Sequence, residues 1–248
     1  MANTLIITGG GRGIGAATAK LAASHGYAVC IAYRSDTEAA EAVVRSITAD
    51  GGNATAVKMD VANEAEVIDL FESAERRLGP IVGLVNNAAI VAHHSRVEDI
   101  SLERLQRMFA VNAIGPFLCS REAVRRMSTR RGGAGGAIVN VSSSSAQLGS
   151  PNEYVDYAAS KGALESMTYG LAKEVAREGI RVNGVRPGPI YTEMHASGGE
   201  PDRVERVAAS VPMGRGGRPE EVAEAIIWLL SDKASFATGG FINVNGGK

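Results

Sequence analysis

Tyr157 and Lys161, in Tyr157-Ala158-Ala159-Ser160-Lys161, are four residues apart and share one face of a helix started by that stretch. A free phenol titrates near about 10, and a neighbouring ammonium stabilises the phenolate, moving it toward the range a general acid/base needs. The pair therefore reads as a proton-transfer device, and Lys161 is also long enough to reach the ribose of a nicotinamide nucleotide. Just upstream, the apolar run Ala137-Ile138-Val139-Asn140-Val141 leads into Ser142-Ser143-Ser144-Ser145, so hydroxyls stand where a strand should end. A hydroxyl there can hydrogen-bond a substrate oxygen and stabilise the charge that develops on it.

A second constellation lies near the start of the chain. Thr8-Gly9-Gly10-Gly11-Arg12-Gly13-Ile14-Gly15 falls between an apolar run and a helical pattern. Glycines in such a turn let backbone amides approach a pyrophosphate, which then sits at the positive end of the helix. The next strand pattern ends in Ala32-Tyr33-Arg34-Ser35, without the acid that holds a ribose 2′-hydroxyl in an NAD site. Arg34 and Arg12 instead suit a 2′-phosphate, which a guanidinium fork binds by charge-assisted hydrogen bonds. NADP(H) is the preferred cofactor on this reading; Asp36 keeps NAD(H) open if the strand runs further.

The elements that must position these groups are legible as alternation. Short β-branched runs at 4–8, 27–33, 54–59, 81–86, 137–142, 180–185 and 241–244 are separated by helical patterns at 15–25, 37–50, 64–78, 102–127, 157–178 and 219–230. Strand–helix alternation predicts one α/β domain over 1–248: a doubly wound, seven-stranded parallel sheet of Rossmann type, with ligands at the carboxyl ends of the strands. The stretch 191–217 falls outside the pattern and is expected to be a flexible flap over the site.

Composition narrows the class. The 26 basic and 27 acidic side chains nearly cancel and are interspersed, which argues against nucleic acid or an anionic membrane surface as partner. No apolar run approaches the about 20 residues of a membrane span, and no secretion signal is read at the start. Cys30 and Cys119 sit in apolar patterns and suggest neither a disulfide framework nor a metal cluster, so a cytoplasmic setting is expected and no metal is called.

Thr8–Gly15, Asn86-Asn87-Ala88, Asn112, the serine run, Tyr157 with Lys161, and Pro187-Gly188 occur in an order and at separations that resemble the short-chain dehydrogenase/reductase family over nearly the whole chain. The resemblance implies hydride transfer between NAD(P)(H) and a carbonyl or alcohol carbon of a small molecule, in a homotetramer. It implies that Tyr157 is the acid/base, that Lys161 lowers its pKa, and that Asn112 holds a water leading protons to Lys161. By the same token Gly9, Arg12, Gly13, Ile14, Gly15 and Arg34 belong to the cofactor site. Asn86 and Ala88 would line it, Asp60 and Val61 would contact adenine, and Pro187, Gly188, Ile190 and Thr192 would pack against nicotinamide.

Three positions depart from the family pattern. The usual serine-to-tyrosine spacing selects Ser144, whereas counting from the strand end selects Ser143; we favour Ser143, since a loop through Asn152 and Glu153 can absorb an extra residue. Ala89 and Asn245 replace a frequent Gly and Asp, and neither change removes a catalytic group. For the substrate, Gln147, Tyr154, Met194, His195, His93 and His94 are candidate pocket residues. The segments 153–170 and 191–199 resemble both sugar-dehydrogenase-like and 3-oxoacyl carrier-protein reductase-like members. A non-catalytic NADP(H)-binding sensor on the same fold is the alternative to an enzyme.

Overall fold

In the computed structural model, which describes residues 3–248, the apolar runs form strands β1 (Thr4–Thr8), β2 (Ala28–Tyr33), β3 (Ala54–Lys58), β4 (Ile81–Asn86), β5 (Gly136–Val141), β6 (Ile180–Pro187) and β7 (Phe241–Val244). They pair in parallel in the order β3-β2-β1-β4-β5-β6-β7. Both faces of the sheet are covered. In β1, Ile6 packs into one core and Leu5 and Ile7 into the other, as side chains alternating along a strand must.

Helices α1 (Gly13–Ser24) and α2 (Thr37–Ala49) lie on one face; α3 (Glu64–Leu78) lies on the other. The α3 face also carries α4 (Leu102–Phe109), α5 (Gly115–Met127) and, beyond the short α6 (Ser145–Leu148), the long α7 (Val155–Val175). After α8 (Met194–Ser197) and α9 (Arg203–Ala208), α10 (Pro219–Leu230) returns to the α1 face. Phe71, Cys119 and Val175 share the first core, while Ala22, Val43 and Ile226 share the second. Burying the larger of these, Phe71, Val175, Val43 and Ile226, stabilises by about 1.5–3 kcal/mol each.

One expectation needs correction. The pattern at 102–127 is not one helix: a π-helical turn, Ala110–Ile114, separates α4 from α5. Pro116 supplies the reason, because it lacks the N–H that the Asn112 carbonyl would accept in a continuous α-helix. The stretch 191–217 contains secondary structure of its own. It folds into α8 and α9 and is closed at its base by a bridge between Ile190 and Gly217.

The basic cluster near the end of α5 is engaged rather than free. Arg125 and Arg126 each reach the buried Glu122 at 2.8 Å, and Arg130 reaches Glu178 at 3.1 Å. Among the described residues, no helix is long and apolar enough to cross a membrane.

Candidate active site

The strand order reverses between β1 and β4, and loops leaving the carboxyl ends of neighbouring strands must diverge there. The cavity that opens has a volume of about 360 Å³, with Ile14, Asn87, Ser143, Tyr157, Lys161 and Pro187 among its walls. Tyr157 and Lys161 stand on α7, whose first turn faces the end of β5. Lys161 is 2% exposed, its Nζ donates to the Val141 carbonyl at 2.7 Å and lies 5.8 Å from the centre of the Tyr157 ring.

Burial governs both groups. It pushes the Tyr157 phenol up to about 12, against the hydrogen bond to Ser143 and the positive charge of Arg203, and it pulls Lys161 down to about 8. In the protein alone burial decides the direction for the tyrosine, and Ser143 and Arg203, not Lys161, are the groups that oppose it. The ammonium is spent on a strand carbonyl, and the phenol pays the desolvation of an enclosed site.

The serine run separates into distinct roles. Ser142 donates to the Glu165 carboxylate at 2.8 Å, away from the tyrosine. Ser144 is buried in the turn that starts α6, its N–H donating to the Pro187 carbonyl at 2.9 Å. Ser143 is the serine whose hydroxyl acts on the Tyr157 phenol, favouring its ionised form. The extra residue is absorbed between α6 and α7, where Ser150 and Asn152 both take positive φ, 45° and 61°.

Asn112, on the π-helical turn, is completely buried and its amide is fully used. It accepts from the Ile90 N–H at 2.8 Å and donates to the Ile90 carbonyl at 2.9 Å and to the Ser160 hydroxyl at 3.1 Å. Ser160 in turn donates to the Tyr157 carbonyl at 2.7 Å, so the amide ties the β4 loop to the helical turn carrying the tyrosine. Both amide protons are thus engaged within the protein, and Pro116 leaves the Asn112 main-chain carbonyl without its α-helical N–H donor.

Asn86 also departs from expectation. Its side chain points into the interior, donating to Ser120 at 3.0 Å and to Asn140 at 2.8 Å, because it belongs to the inward-facing set of β4. The residue missed was its neighbour. Asn87 lines the cavity and donates to the carbonyls of Thr8 and Gly9, both at 3.0 Å, while the Thr8 hydroxyl accepts from the N–H groups of Asn87 and Ala88. Asn87 thus clamps the glycine turn, and strand alternation applied to Asn86-Asn87 was the signal for it.

That turn is glycine-dependent at two points. Gly9 has φ +64°, and a Cβ on Gly15 would lie 2.3 Å from the Gly9 carbonyl oxygen. Arg12 gives α1 no side-chain cap and its first turn holds no acid, which leaves N–H groups of the positive helix end available to an anion. Arg12 and Arg34 are exposed, and among the described residues neither forms a hydrogen bond or ion pair through its guanidinium. Asp36 caps α2, accepting from the Ala39 N–H at 3.0 Å. Nearby, burial raises the Asp60 carboxyl, but the Ala62 N–H and Arg107 bring it below the ordinary value; Val61 packs against Gly115. The donor set fits a dinucleotide.

Gly188, Ile190 and Thr192 line the cavity together with Pro187, and Gly13 packs against Thr192. At the other end stand Tyr154, Met194, His195, Glu153 and Arg203, whereas Gln147, His93 and His94 do not line it. The Asn245 carboxamide accepts from the Gly247 N–H at 3.1 Å, a local turn under Gly188.

A family model described as enoyl-(acyl carrier protein) reductase matches residues 9–248. An uncharacterised oxidoreductase of Escherichia coli K12, YgfF, is 55% identical, the alignment covering 98% of each chain. A glucose and ribitol dehydrogenase homologue of Oryza sativa is 40% identical over 98% of this chain and 84% of its own. A solved short-chain type dehydrogenase/reductase of Mycobacterium marinum superposes with a TM-score of 0.92 at 34% identity, covering 99% of this chain and 94% of the other.

Proposed function

Since the chain belongs to the short-chain dehydrogenase/reductase family of oxidoreductases, which use nicotinamide cofactors, we propose that it interconverts a carbonyl and an alcohol with NADP(H), Tyr157 exchanging the proton. One observation carries this reading: Ser143, Tyr157 and Lys161 meet in a single cavity beside the uncapped end of α1.

When bound there, the cofactor supplies or accepts the hydride. Ser143 holds the substrate oxygen next to the phenol, and Tyr157 gives its proton to that oxygen in reduction and withdraws it in oxidation. Lys161 carries a positive charge behind the ring and holds the nicotinamide ribose. The Asn112 main chain, freed from its usual helical partner by Pro116, holds the water through which protons reach Lys161.

Selection of the phosphorylated cofactor rests on Arg12 and Arg34, with Asp36 already occupied as a helix cap. Gly9, Gly13, Ile14 and Gly15 shape the pyrophosphate turn, Asp60 and Val61 border the adenine, and Ala88 supports the turn from β4. Pro187, Gly188, Ile190 and Thr192 form the nicotinamide wall. The segment 191–217 serves as the substrate flap. Buried unpaired thiols at Cys30 and Cys119 support a reducing, cytoplasmic setting.

The test is a panel of ketones, aldehydes, sugars and enoyl thioesters followed by NADPH absorbance. Turnover of carbonyl compounds is expected, with Tyr157→Phe losing at least about a thousandfold in kcat while NADPH affinity stays within about twofold. Tight NADPH binding without turnover of any compound would replace the enzyme by a sensor; turnover of enoyl thioesters alone would replace the carbon–oxygen reading.

A further inference from the structure

We infer that the ion pair between Arg203 and Glu153 reads a hydroxyl on the substrate remote from the reacting carbon, so that the enzyme prefers neutral hydroxylated carbonyl compounds and the corresponding polyols. The inference deepens the proposed reaction and rests on it.

Both partners line the cavity that holds Tyr157. Arg203 comes from α9 on the flap and Glu153 from the turn before α7, and they meet at 2.5 Å. The Arg203 guanidinium lies 4.8 Å from the centre of the Tyr154 ring, which packs edge-on against His94 at 4.5 Å. With its side chain only 14% exposed, Arg203 is held in one orientation before any substrate arrives. Such a group loses little conformational freedom on binding.

Val91, Leu148, Met194 and Val207 give the same cavity apolar walls, and His195 lines it as well. A polar pair set in an apolar wall fixes the orientation of a ligand and penalises one that leaves it unpaired. The charge of Arg203 also reaches Tyr157. The pair and the acid/base therefore line one cavity.

Charge balance decides against an anion. Around Arg203 and Arg206 stand Glu153 and Glu200, with Arg203 Nη1 3.6 Å from Glu200 and Arg206 Nη1 3.9 Å from Glu153. His94 closes the cluster on Glu200 at 2.6 Å. Two carboxylates meet two guanidinium groups, so a substrate carboxylate gains no uncompensated charge at this end. A hydroxyl, both donor and acceptor, can use the guanidinium and the carboxylate together. The other cations on the wall are Lys161, beneath Tyr157, and Lys248, whose Nζ donates to Ser210 at 3.2 Å.

The experiment compares short-chain hydroxyketones with deoxyketones and keto acids of equal length, measuring kcat/KM with NADPH for wild type, Arg203→Met, Arg203→Lys and Glu153→Gln. Wild type should favour the hydroxyketone by about tenfold or more, and Arg203→Met should erase that preference by lowering kcat/KM for the hydroxyketone about tenfold more than for the deoxyketone. Arg203→Lys should recover it only in part, because an ammonium does not reproduce the fork. Glu153→Gln, which leaves one carboxylate between the two guanidinium groups, should move the preference toward the keto acid. Equal losses for all three substrates in Arg203→Met would make the pair a fastening of the flap and overturn the inference. A wild-type preference for the keto acid would overturn it equally. Failure of wild type to reduce any carbonyl compound would instead bring down the proposed reaction itself.

Discussion

At the scale of single residues, burial controls the proton-transfer pair, and this has a consequence for stability. Lys161 falls from 10.5 in the unfolded chain to about 8 in the folded one. Between those values the unfolded chain holds a proton that the folded chain lacks. Stability therefore rises with pH through that window and levels off below it, with a slope of at most about 1.4 kcal/mol per pH unit. Tyr157 acts in the opposite sense, since it stays protonated when folded from 10 up to about 12 and its contribution is lost as pH rises through that range. Urea unfolding at a series of pH values should show the rise between about 8 and 10.5 in wild type and not in Lys161→Met; the same slope in both would contradict the assignment. Cofactor choice is also decided by single side chains. Arg34→Ala should weaken NADPH binding by about tenfold or more and NADH binding by less than about threefold, read by fluorescence titration. Equal losses would place the 2′-phosphate elsewhere.

At the scale of elements, what matters is how α7 is held. Asp156, adjacent to Tyr157, has a fully buried carboxylate gripped by Arg104 of α4 through two bonds, 2.7 and 3.0 Å, and the same arginine donates to the His93 carbonyl at 2.7 Å. Further along α7, Glu165 takes Arg186 of β6 at 2.7 and 2.8 Å. The helix is thus fixed to α4 beside the tyrosine and to the sheet one turn beyond the lysine. Removing Arg104 leaves a buried charge without its partner, so Arg104→Leu should cost about 3 kcal/mol or more, whereas Asp156→Asn should cost less. Denaturant unfolding checks this; two variants within about half a kcal/mol of wild type would show that the pair is not needed to fix α7.

At the scale of the molecule, apolar side chains are left exposed on both helical layers. Ile114, Phe117 and Tyr169 are 52%, 54% and 41% exposed on the α5–α7 side, and Trp228 and Phe236 lie at and just beyond α10 on the other. By contrast Leu164, Met167 and Val175 of α7 are buried in the protomer's own core. Two separate apolar patches suit two self-complementary interfaces, the arrangement of a tetramer with dihedral symmetry. Sedimentation should find a homotetramer, with Phe117→Glu and Trp228→Glu each reducing it to dimers and the double variant giving monomers. A monomeric wild type would refute the assembly.

Much of this protein was determined by local sequence. The hydrophobic period set all seven strands to within about two residues at their ends, and the Tyr157–Lys161 spacing set a shared helix face, because both depend only on neighbours along the chain. Ser143 was also within reach of sequence reasoning, since the end of β5 fixes where the following side chains point. Other features required the folded chain. The inward turn of Asn86, the clamp by Asn87, the use of the Asn112 amide on Ile90 and Ser160, and the meeting of Arg203 with Glu153 all join segments far apart in sequence. The acidities were likewise decided in three dimensions: a sequence can place a lysine beside a tyrosine, but only packing determines how much water either group retains, and here burial sets the direction of both shifts.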